Sequence, residues 1–495
     1  MNSFQIRVHC GEECFTLCAD GEKSILQSLG TTHGPNAPCG GRGVCGKCRV
    51  ELKGLLRSLD SGEITETEGE ILACRYAPTG DCELWLPPEN EAIIAVAENV
   101  KISGGREGLG LAVDIGTTTI VSALYDLKTG ECVAEKSELN AQRVFGADVV
   151  SRMEHCRKGS FDELYACMEK QLSALAEDKD KISRVSIVGN TVMQHFAAGL
   201  DPSDMAVPPF EVKSLFGAQR SLNVWPDADV YFARCISAYV GGDVVAGMLA
   251  CGLQDAEEPC LYVDIGTNGE LAIGDKRGYK TCATAAGPAF EGAEISCGMN
   301  AAEGAIDRVW TEKGEIRTHV LGGVRARGIC GSGIIDAVAV LLDLGLISRS
   351  GRLVARDKAP AELRSRFVEK NGTRAFSLCD GVYLSLRDIH KVQLAKAAIR
   401  GGIELLLKGK AVKEIIVAGG FGKYMNVISA IKIGLLPPVS ESIVRQAGNA
   451  AAKGAAMLLD RAAEEKLRAL ADKCTYVDLS SSEEFSESYI SYLNF

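Results

Sequence analysis

The tetrapeptide Asp-Ile-Gly-Thr occurs twice in this chain, as Asp114-Ile115-Gly116-Thr117 and as Asp264-Ile265-Gly266-Thr267. Each copy follows an apolar run, Leu109-Gly110-Leu111-Ala112-Val113 in the first case and Cys260-Leu261-Tyr262-Val263 in the second. One such word is weak, because any strand running into a turn can spell it. Two of them, 150 positions apart (264 − 114), read as an internal duplication that yields two similar lobes. The chemistry follows from the residue types. Gly116 and Gly266 let the chain turn sharply, so that backbone N–H groups and the Thr117, Thr118 and Thr267 hydroxyls, with Asn268 beside them, face phosphate oxygens. Asp114 and Asp264 are suited to hold Mg2+ through water or to orient an attacking water, and Glu270 is a third candidate for that catalytic work.

A third glycine turn completes the set. The strand Lys413–Ala418 runs into Gly419-Gly420-Phe421-Gly422, a turn that approaches a ligand closely only without side chains, and Gly448-Asn449 opens a helix of small residues. Strands and helices alternate from Leu109 to the C-terminus, the mark of an α/β domain. The division between lobes is expected near Leu253–Glu258. Gly328-Ile329-Cys330-Gly331-Ser332-Gly333, before a helix over 334–342, fits an anion-facing helix start and close helix packing equally well.

The N-terminal part carries a different signal. Cys39-Gly40-Gly41-Arg42-Gly43-Val44-Cys45-Gly46-Lys47-Cys48 is a glycine-rich cysteine loop, and Cys74 supplies a fourth thiol. Four thiolates satisfy a [2Fe–2S] core, and glycines let N–H groups approach its sulfides. Plant-type loops have four residues between the first two cysteines; five stand here, the spacing of the ferredoxin branch that includes adrenodoxin. A zinc ribbon would pair two C-x2-C knuckles, and only Cys45/Cys48 forms one. Alternation through Phe4–Cys10 and Cys14–Cys18 predicts a hairpin turning at Gly11-Glu12, with a short helix over 24–29 ending at Gly30, then strands over 48–52 and 82–87. Cys10, Cys14, Cys18 and Cys82 are expected to pack in strands. The run Asp60–Glu70, with five carboxylates, reads as a docking patch for a redox partner or as a solvated helix or loop.

The fold expected is therefore an α+β β-grasp [2Fe-2S] ferredoxin domain (residues 1–88), a linker (89–107) with a soft Ser103–Gly108 stretch, and a two-lobed α/β ATPase domain. Its first lobe spans 108–254 and its second 255–495, the latter including a C-terminal extension. A net charge of −11 argues against nucleic acid or an anionic membrane as main partner. No stretch approaches ~18 uninterrupted apolar residues. The N-terminus lacks the apolar core of a secretion signal, and 19 scattered cysteines fit a reducing cytoplasm better than a disulfide framework. His195 and the tryptophans Trp85, Trp225 and Trp310 read as packing residues.

The two hairpins with Gly419–Gly422 resemble the ATPase class of actin, hexokinase and the heat-shock chaperones, in which ATP sits between two closing lobes. The whole combination resembles the reductive activators of corrinoid-dependent enzymes, over Phe4–Leu86 and Leu109 to about Leu459. Besides the segments above, the resemblance is carried by Gly146-Ala147-Asp148-Val149-Val150-Ser151-Arg152, Val188–Met193, Ala286–Gly292 and Val392–Lys396. It implies one-electron reduction of an inactive Co(II) corrinoid protein to Co(I), using ATP and a low-potential electron donor, to restart a methyltransferase system. The energetics explain the nucleotide: plant-type clusters lie near about −400 mV, and each 100 mV uphill costs about 2.3 kcal/mol per electron. A homodimer is compatible with this reading. Longer members of the family carry a middle domain between cluster and ATPase lobes, and only a short tether is expected here; the extra C-terminal four-cysteine motifs of others are absent. Rival readings are an activator of a 2-hydroxyacyl-CoA dehydratase, with cluster ligands drawn from Cys235, Cys251, Cys260, Cys282, Cys297 and Cys330, a small-molecule kinase with a redox sensor, and a nucleotide-binding redox scaffold without turnover. Those six cysteines are expected to be core thiols.

Overall fold

The computed structural model describes residues 3–10, 13–35, 37, 41, 43, 48–86, 100–176, 179–420, 422 and 424–495. Strands β1 (Ser3–Cys10), β2 (Glu13–Asp20), β3 (Arg49–Ser58), β4 (Ile64–Leu72) and β5 (Tyr76–Leu86) form a five-stranded sheet in the order β2-β1-β5-β3-β4. Alternation sends Ile6, Val8, Val50, Leu52 and Leu84 to one face, where they pack on Ile25, Leu26 and Leu29 of the helix Ile25–His33. Ser24 starts that helix with a reciprocal cap: its hydroxyl accepts the Gln27 N–H, and the Gln27 side chain accepts the Ser24 N–H. Gly30, at φ 64°, interrupts it where the sequence places its end.

Three expectations for this part are corrected. The acidic run is neither helix nor loop: it lies largely on β4, an edge strand, where Glu68 and Glu70 pair with Lys53 and Arg49 on β3. Charges along an exposed edge also discourage pairing with other chains. Cys14 and Cys18 are exposed, because their positions face away from the helix, whereas Cys82 is buried as expected. Trp310 is exposed rather than packed; Trp225 is buried, and Trp85, though at the surface, stacks on His9 with ring centroids 5.0 Å apart. The turn at 11–12 lies outside the described residues.

Two six-stranded sheets follow. The first has β6 (Leu109–Ile115), β7 (Thr119–Asp126), β8 (Glu131–Leu139), β9 (Ile182–Gly189), β10 (Ala218–Gln219) and β11 (Asp229–Phe232), in the order β10-β11-β9-β6-β7-β8. The second contains β12 (Cys260–Ile265), β13 (Gly269–Asp275) and β14 (Gly278–Thr284), extended by Glu414–Ala418 and Val444–Gly448 on one side and Cys474–Tyr476 on the other. In each sheet the strand carrying Asp-Ile-Gly-Thr is central, antiparallel to the strand after it and parallel to its other neighbour. Strands covered on both faces read as continuous apolar runs, which is why Leu109–Val113 and Cys260–Val263 do not alternate.

Between the sheets, the helix Gly242–Ala250 packs on the helix Ala450–Met457. Ala450, Ala451 and Ala455 of the second helix share one core with Ala112 and Val188 of the first sheet and Tyr262 and Ile416 of the other. Small side chains let the helices approach closely, so the two sheets meet through a common interior. The C-terminal residues belong to the second sheet's layers: Cys474–Tyr476 pairs with β14, and the helix Glu483–Ser491 packs on Leu386–Leu407. Glu464 reaches back to pair with Arg184 on β9. The stretch before β6 is packed rather than soft. Ile102 is buried, its N–H bonds the Gly130 carbonyl at 3.1 Å, and that of Gly105 bonds the Lys128 carbonyl at 2.9 Å. Among the described residues, no helix is long and apolar enough to cross a membrane.

Candidate functional site

Both hairpins turn tightly at the ends of their sheets. The Gly116 N–H bonds the Thr119 carbonyl at 2.9 Å, and the Gly266 N–H bonds the Asn268 carbonyl at 2.9 Å. In the ladder between β12 and β13, Asp264 stands directly opposite Glu270. Four carboxylates face one another at this cleft. Desolvation pushes Asp114 up to about 8, with repulsion from Asp243 and Asp264 adding to it and a hydrogen bond from Asn449 opposing it. Asp243 is pushed up to about 7 by desolvation and by Asp264. Asp264 rises only to about 6, because the Tyr262 hydroxyl donates to its Oδ2 at 3.1 Å. Glu270 is raised well above the carboxylate range by desolvation and its two aspartate neighbours, with Asn268 hydrogen-bonded to it.

Carboxylates gathered so closely, each disfavouring the ionisation of the next, suit a divalent cation. Among the described residues, no three His, Cys, Asp or Glu side chains converge as a direct ligand set. The third expected element sits against the second hairpin. Gly419 adopts φ 98°, and a Cβ there would lie 2.4 Å from the Ile265 carbonyl oxygen, so the turn and the hairpin touch backbone to backbone. The Gly422 N–H bonds the Gly419 carbonyl at 3.1 Å, and the Gln446 side-chain amide donates to the Gly422 carbonyl at 2.6 Å. Phe421 lies outside the described residues.

The hydroxyls of the hairpins are engaged. Asn190 donates to Thr117 Oγ1 at 3.0 Å, and the buried Arg152 holds the Thr117 carbonyl at 2.6 Å. Thr118 and Thr267 both donate to Glu291. A cavity of about 280 Å³, at the small end of the ligand range, opens beside them and is lined by Thr118, Gly266, Glu291, Ser332 and Gly420 among others. The structure thus brings Asp114, Thr118, Asp264, Gly266, Thr267, Glu270, Gly419 and Gly420 to one place. It adds Asp243, Glu291, Asn190 and Asn449, to none of which the sequence assigns a site role; Asn449 is expected only to open a helix, and Asn190 and Glu291 only lie within family segments. Asp243 follows Gly241-Gly242 at a helix start, a signal present in the sequence; Glu291 had none beyond its family word.

The cysteine site is described in half. Cys48 and Cys74 are buried, with their sulfurs 3.2 Å apart, well beyond the ~2.05 Å of a disulfide. The sheet dictates the meeting: Arg49 pairs with Leu72 across β3 and β4, and the Ala73 N–H bonds the Cys48 carbonyl at 2.8 Å. Arg75 ties the loop down, bonding the Gly43 carbonyl at 3.1 Å and Asp60 at 2.6 Å. Two cysteine sulfurs converging in an apolar core fit a soft metal centre. Cys39 and Cys45, which complete the expected four, lie outside the described residues. The rival cluster cysteines behave as expected in part: Cys235, Cys260, Cys282 and Cys330 are buried, whereas Cys251 and Cys297 are partly exposed. His195 is buried, bonded to the Thr191 carbonyl at 2.6 Å and to the Ser214 N–H at 3.3 Å, and serves packing.

Comparison with known proteins accords with this layout. Residues 258–495 match the family pattern described as the C-terminal domain of RACo, the ASKHA domain, and residues 109–256 match the RACo middle region. The middle region is therefore present on the residues read from sequence as the first lobe, which corrects the expectation that a middle domain is missing. The corrinoid activation enzyme RamQ of Eubacterium limosum is 35% identical over 413 residues, covering 77% of this chain and 69% of its own. A [Co(II) methylated amine-specific corrinoid protein] reductase of Methanosarcina barkeri is 24% identical over 437 residues, covering 78% of this chain and 77% of its own. Among solved structures, a reductive activator for corrinoid, iron-sulfur protein superposes with a TM-score of 0.72 at 27% identity, over 99% of this chain and 98% of that one.

Proposed function

Because this chain belongs to the family of reductive activators of corrinoid-dependent enzymes, we propose that it reduces an inactive Co(II) corrinoid protein to Co(I) by one electron, with ATP, and so restarts a methyltransferase system. The observation that carries the reading is the union in one chain of a threonine-lined acidic cleft and a buried, converging pair of cysteines. Residues 1–88 are assigned as the electron-carrying domain, 89–107 as the linker, and 108–254 and 255–495 as the two nucleotide lobes. Cys39, Cys45, Cys48 and Cys74 would hold a [2Fe–2S] cluster. When bound, it supplies the single electron, which a low-potential donor in the cytoplasm replaces.

The chain's own residues do the rest. Thr117, Thr118, Thr267 and the N–H groups at Gly116 and Gly266 bind the phosphates, Gly419, Gly420 and Gly422 receive the adenosine, and Asp114, Asp264 and Glu270 hold Mg2+ and position water for hydrolysis. Closure of the lobes on the nucleotide favours the client state in which cobalt is reduced more easily. A ligand shifts such an equilibrium only by its differential affinity for the two states, and hydrolysis then resets it.

The test mixes anaerobically reduced protein with a Co(II) corrinoid protein and follows Co(I) absorbance with and without ATP. The expected result is ATP-dependent Co(I) formation, abolished in Cys74→Ala together with the cluster spectrum, and abolished in Asp264→Ala with that spectrum intact. Formation of Co(I) at equal rate without ATP would refute the coupling. An intact cluster and ATPase that reduce no corrinoid client would point to another client.

A further inference from the structure

Glu291 belongs to neither hairpin, yet it touches both. The Thr118 hydroxyl, on the first, donates to its Oε2 at 3.2 Å. The Thr267 hydroxyl, on the second, lies 3.1 Å from Oε1 and 3.0 Å from Oε2. The carboxylate forms part of the wall of the 280 Å³ cavity. Enclosure raises its proton affinity, and the two threonine hydroxyls work against that by favouring the charged form. Thr118 and Thr267 are hydroxyls that the nucleotide reading assigns to phosphate oxygens. A carboxylate and a phosphate are both anions that only accept hydrogen bonds, so the two compete for the same donors and repel each other if both stay.

We propose that Glu291 is a built-in stand-in for the nucleotide phosphate: it bridges the two hairpins while the cleft is empty, and an incoming triphosphate must displace it. The proposal rests on the ATP reading of this cleft and deepens it. The bridge keeps Thr118 and Thr267 paired in the absence of nucleotide, so neither lobe presents unsatisfied hydroxyls to the other. It also sets nucleotide affinity by exchange, one anion for another, rather than by simple addition.

The test measures binding of Mg·AMP-PNP and of adenosine to the full chain by calorimetry, for the native protein, Glu291→Ala and Glu291→Gln. Removing the bridge in Glu291→Ala is expected to tighten triphosphate binding roughly tenfold, with Glu291→Gln, which keeps an acceptor but no charge, in between. Adenosine, which brings no anion to exchange, is expected to bind all three alike; a merely structural role for Glu291 would not separate the two ligands. Equal or weaker triphosphate binding by both variants, with adenosine binding unchanged, overturns the bridge and leaves the nucleotide site standing. If the native protein itself binds no triphosphate, the ATP reading falls and the proposal with it.

Discussion

The two Asp-Ile-Gly-Thr hairpins share a word, a turn and a place in their sheets, and they differ in what stands behind the aspartate. Two residues before Asp264 is Tyr262, whose hydroxyl donates to the carboxylate at 3.1 Å. Two residues before Asp114 is Ala112, so help for that aspartate comes from a distant element, the amide of Asn449 at a helix start. The consequence is electrostatic. Asp264 stays near 6 while Asp114 is pushed to about 8. The second hairpin's carboxylate is the readier of the two to give up its proton. The two hairpins share a backbone, and neighbouring side chains make the second aspartate the stronger acid.

The largest expected effect tests that inequality directly. At pH 7, Asp264→Ala is expected to lower ATP-dependent Co(I) formation by about 10²–10³, the usual cost of removing a preorganised electrostatic group. Asp114→Ala is expected to lower it by about tenfold, since its carboxylate is the weaker acid of the two. Measured as single-turnover rates with one corrinoid client, equal losses would mean that the hairpins are equivalent after all.

The second effect is on stability. An acid whose folded pKa lies above its unfolded value contributes stability that is full below the unfolded value and lost as pH rises through the folded one. For Asp264, Asp243 and Asp114 the loss begins above the ordinary 3.8 and is complete near 6, 7 and 8 respectively. The nucleotide-free protein is therefore expected to lose stability as pH rises toward 8, and Mg·ATP to offset the loss. Asp114→Asn is expected to raise stability at pH 8 by about 2 kcal/mol, and Asp264→Asn by less, in denaturant unfolding. A pH slope unchanged by Asp114→Asn would break the distinction between the two sites.

What was legible beforehand follows from how local each requirement is. A turn at Gly116 or Gly266 and the approach of Gly419 to the Ile265 carbonyl are demands of a few consecutive residues, so the sequence spells them out. Glu291 reaches back 24 positions to Thr267 and 173 to Thr118, and Asn190 reaches 73 to Thr117; such partners are chosen by the assembled sheets, not by any word. Carboxylates crowd the alternation of β4, and only the assembled sheet shows the bases that answer them: Lys53 stands opposite Glu68, and Arg49 reaches Glu70 diagonally from opposite Leu72. Cys14 and Cys18 look like strand packing from their spacing, but which side of a sheet is covered is settled by where the helix lies. The middle region hid because it carries the same hairpin as the C-terminal domain and so reads as half of a pair.

The smallest effect isolates the tyrosine. Tyr262 is fully buried, and its hydroxyl fits against the helix Gly242–Ala250 only because position 247 is glycine: a Cβ there would lie 2.0 Å from that oxygen. Tyr262→Phe removes one hydrogen bond to a charged group and leaves the ring in place. Asp264 should then lose its advantage, its pKa rising by about one unit toward that of Asp114. Mg·ATP binding at pH 7 is expected to weaken a few-fold and to match the native protein near pH 8.5, where both forms are ionised. Gly247→Ala should give the same pH displacement by pushing the hydroxyl away, together with a loss of stability that is smaller when introduced into Tyr262→Phe. A Tyr262→Phe profile that overlays the native one would show that the difference between the hairpins lies elsewhere, in Asp243, whose carboxylate both aspartates face.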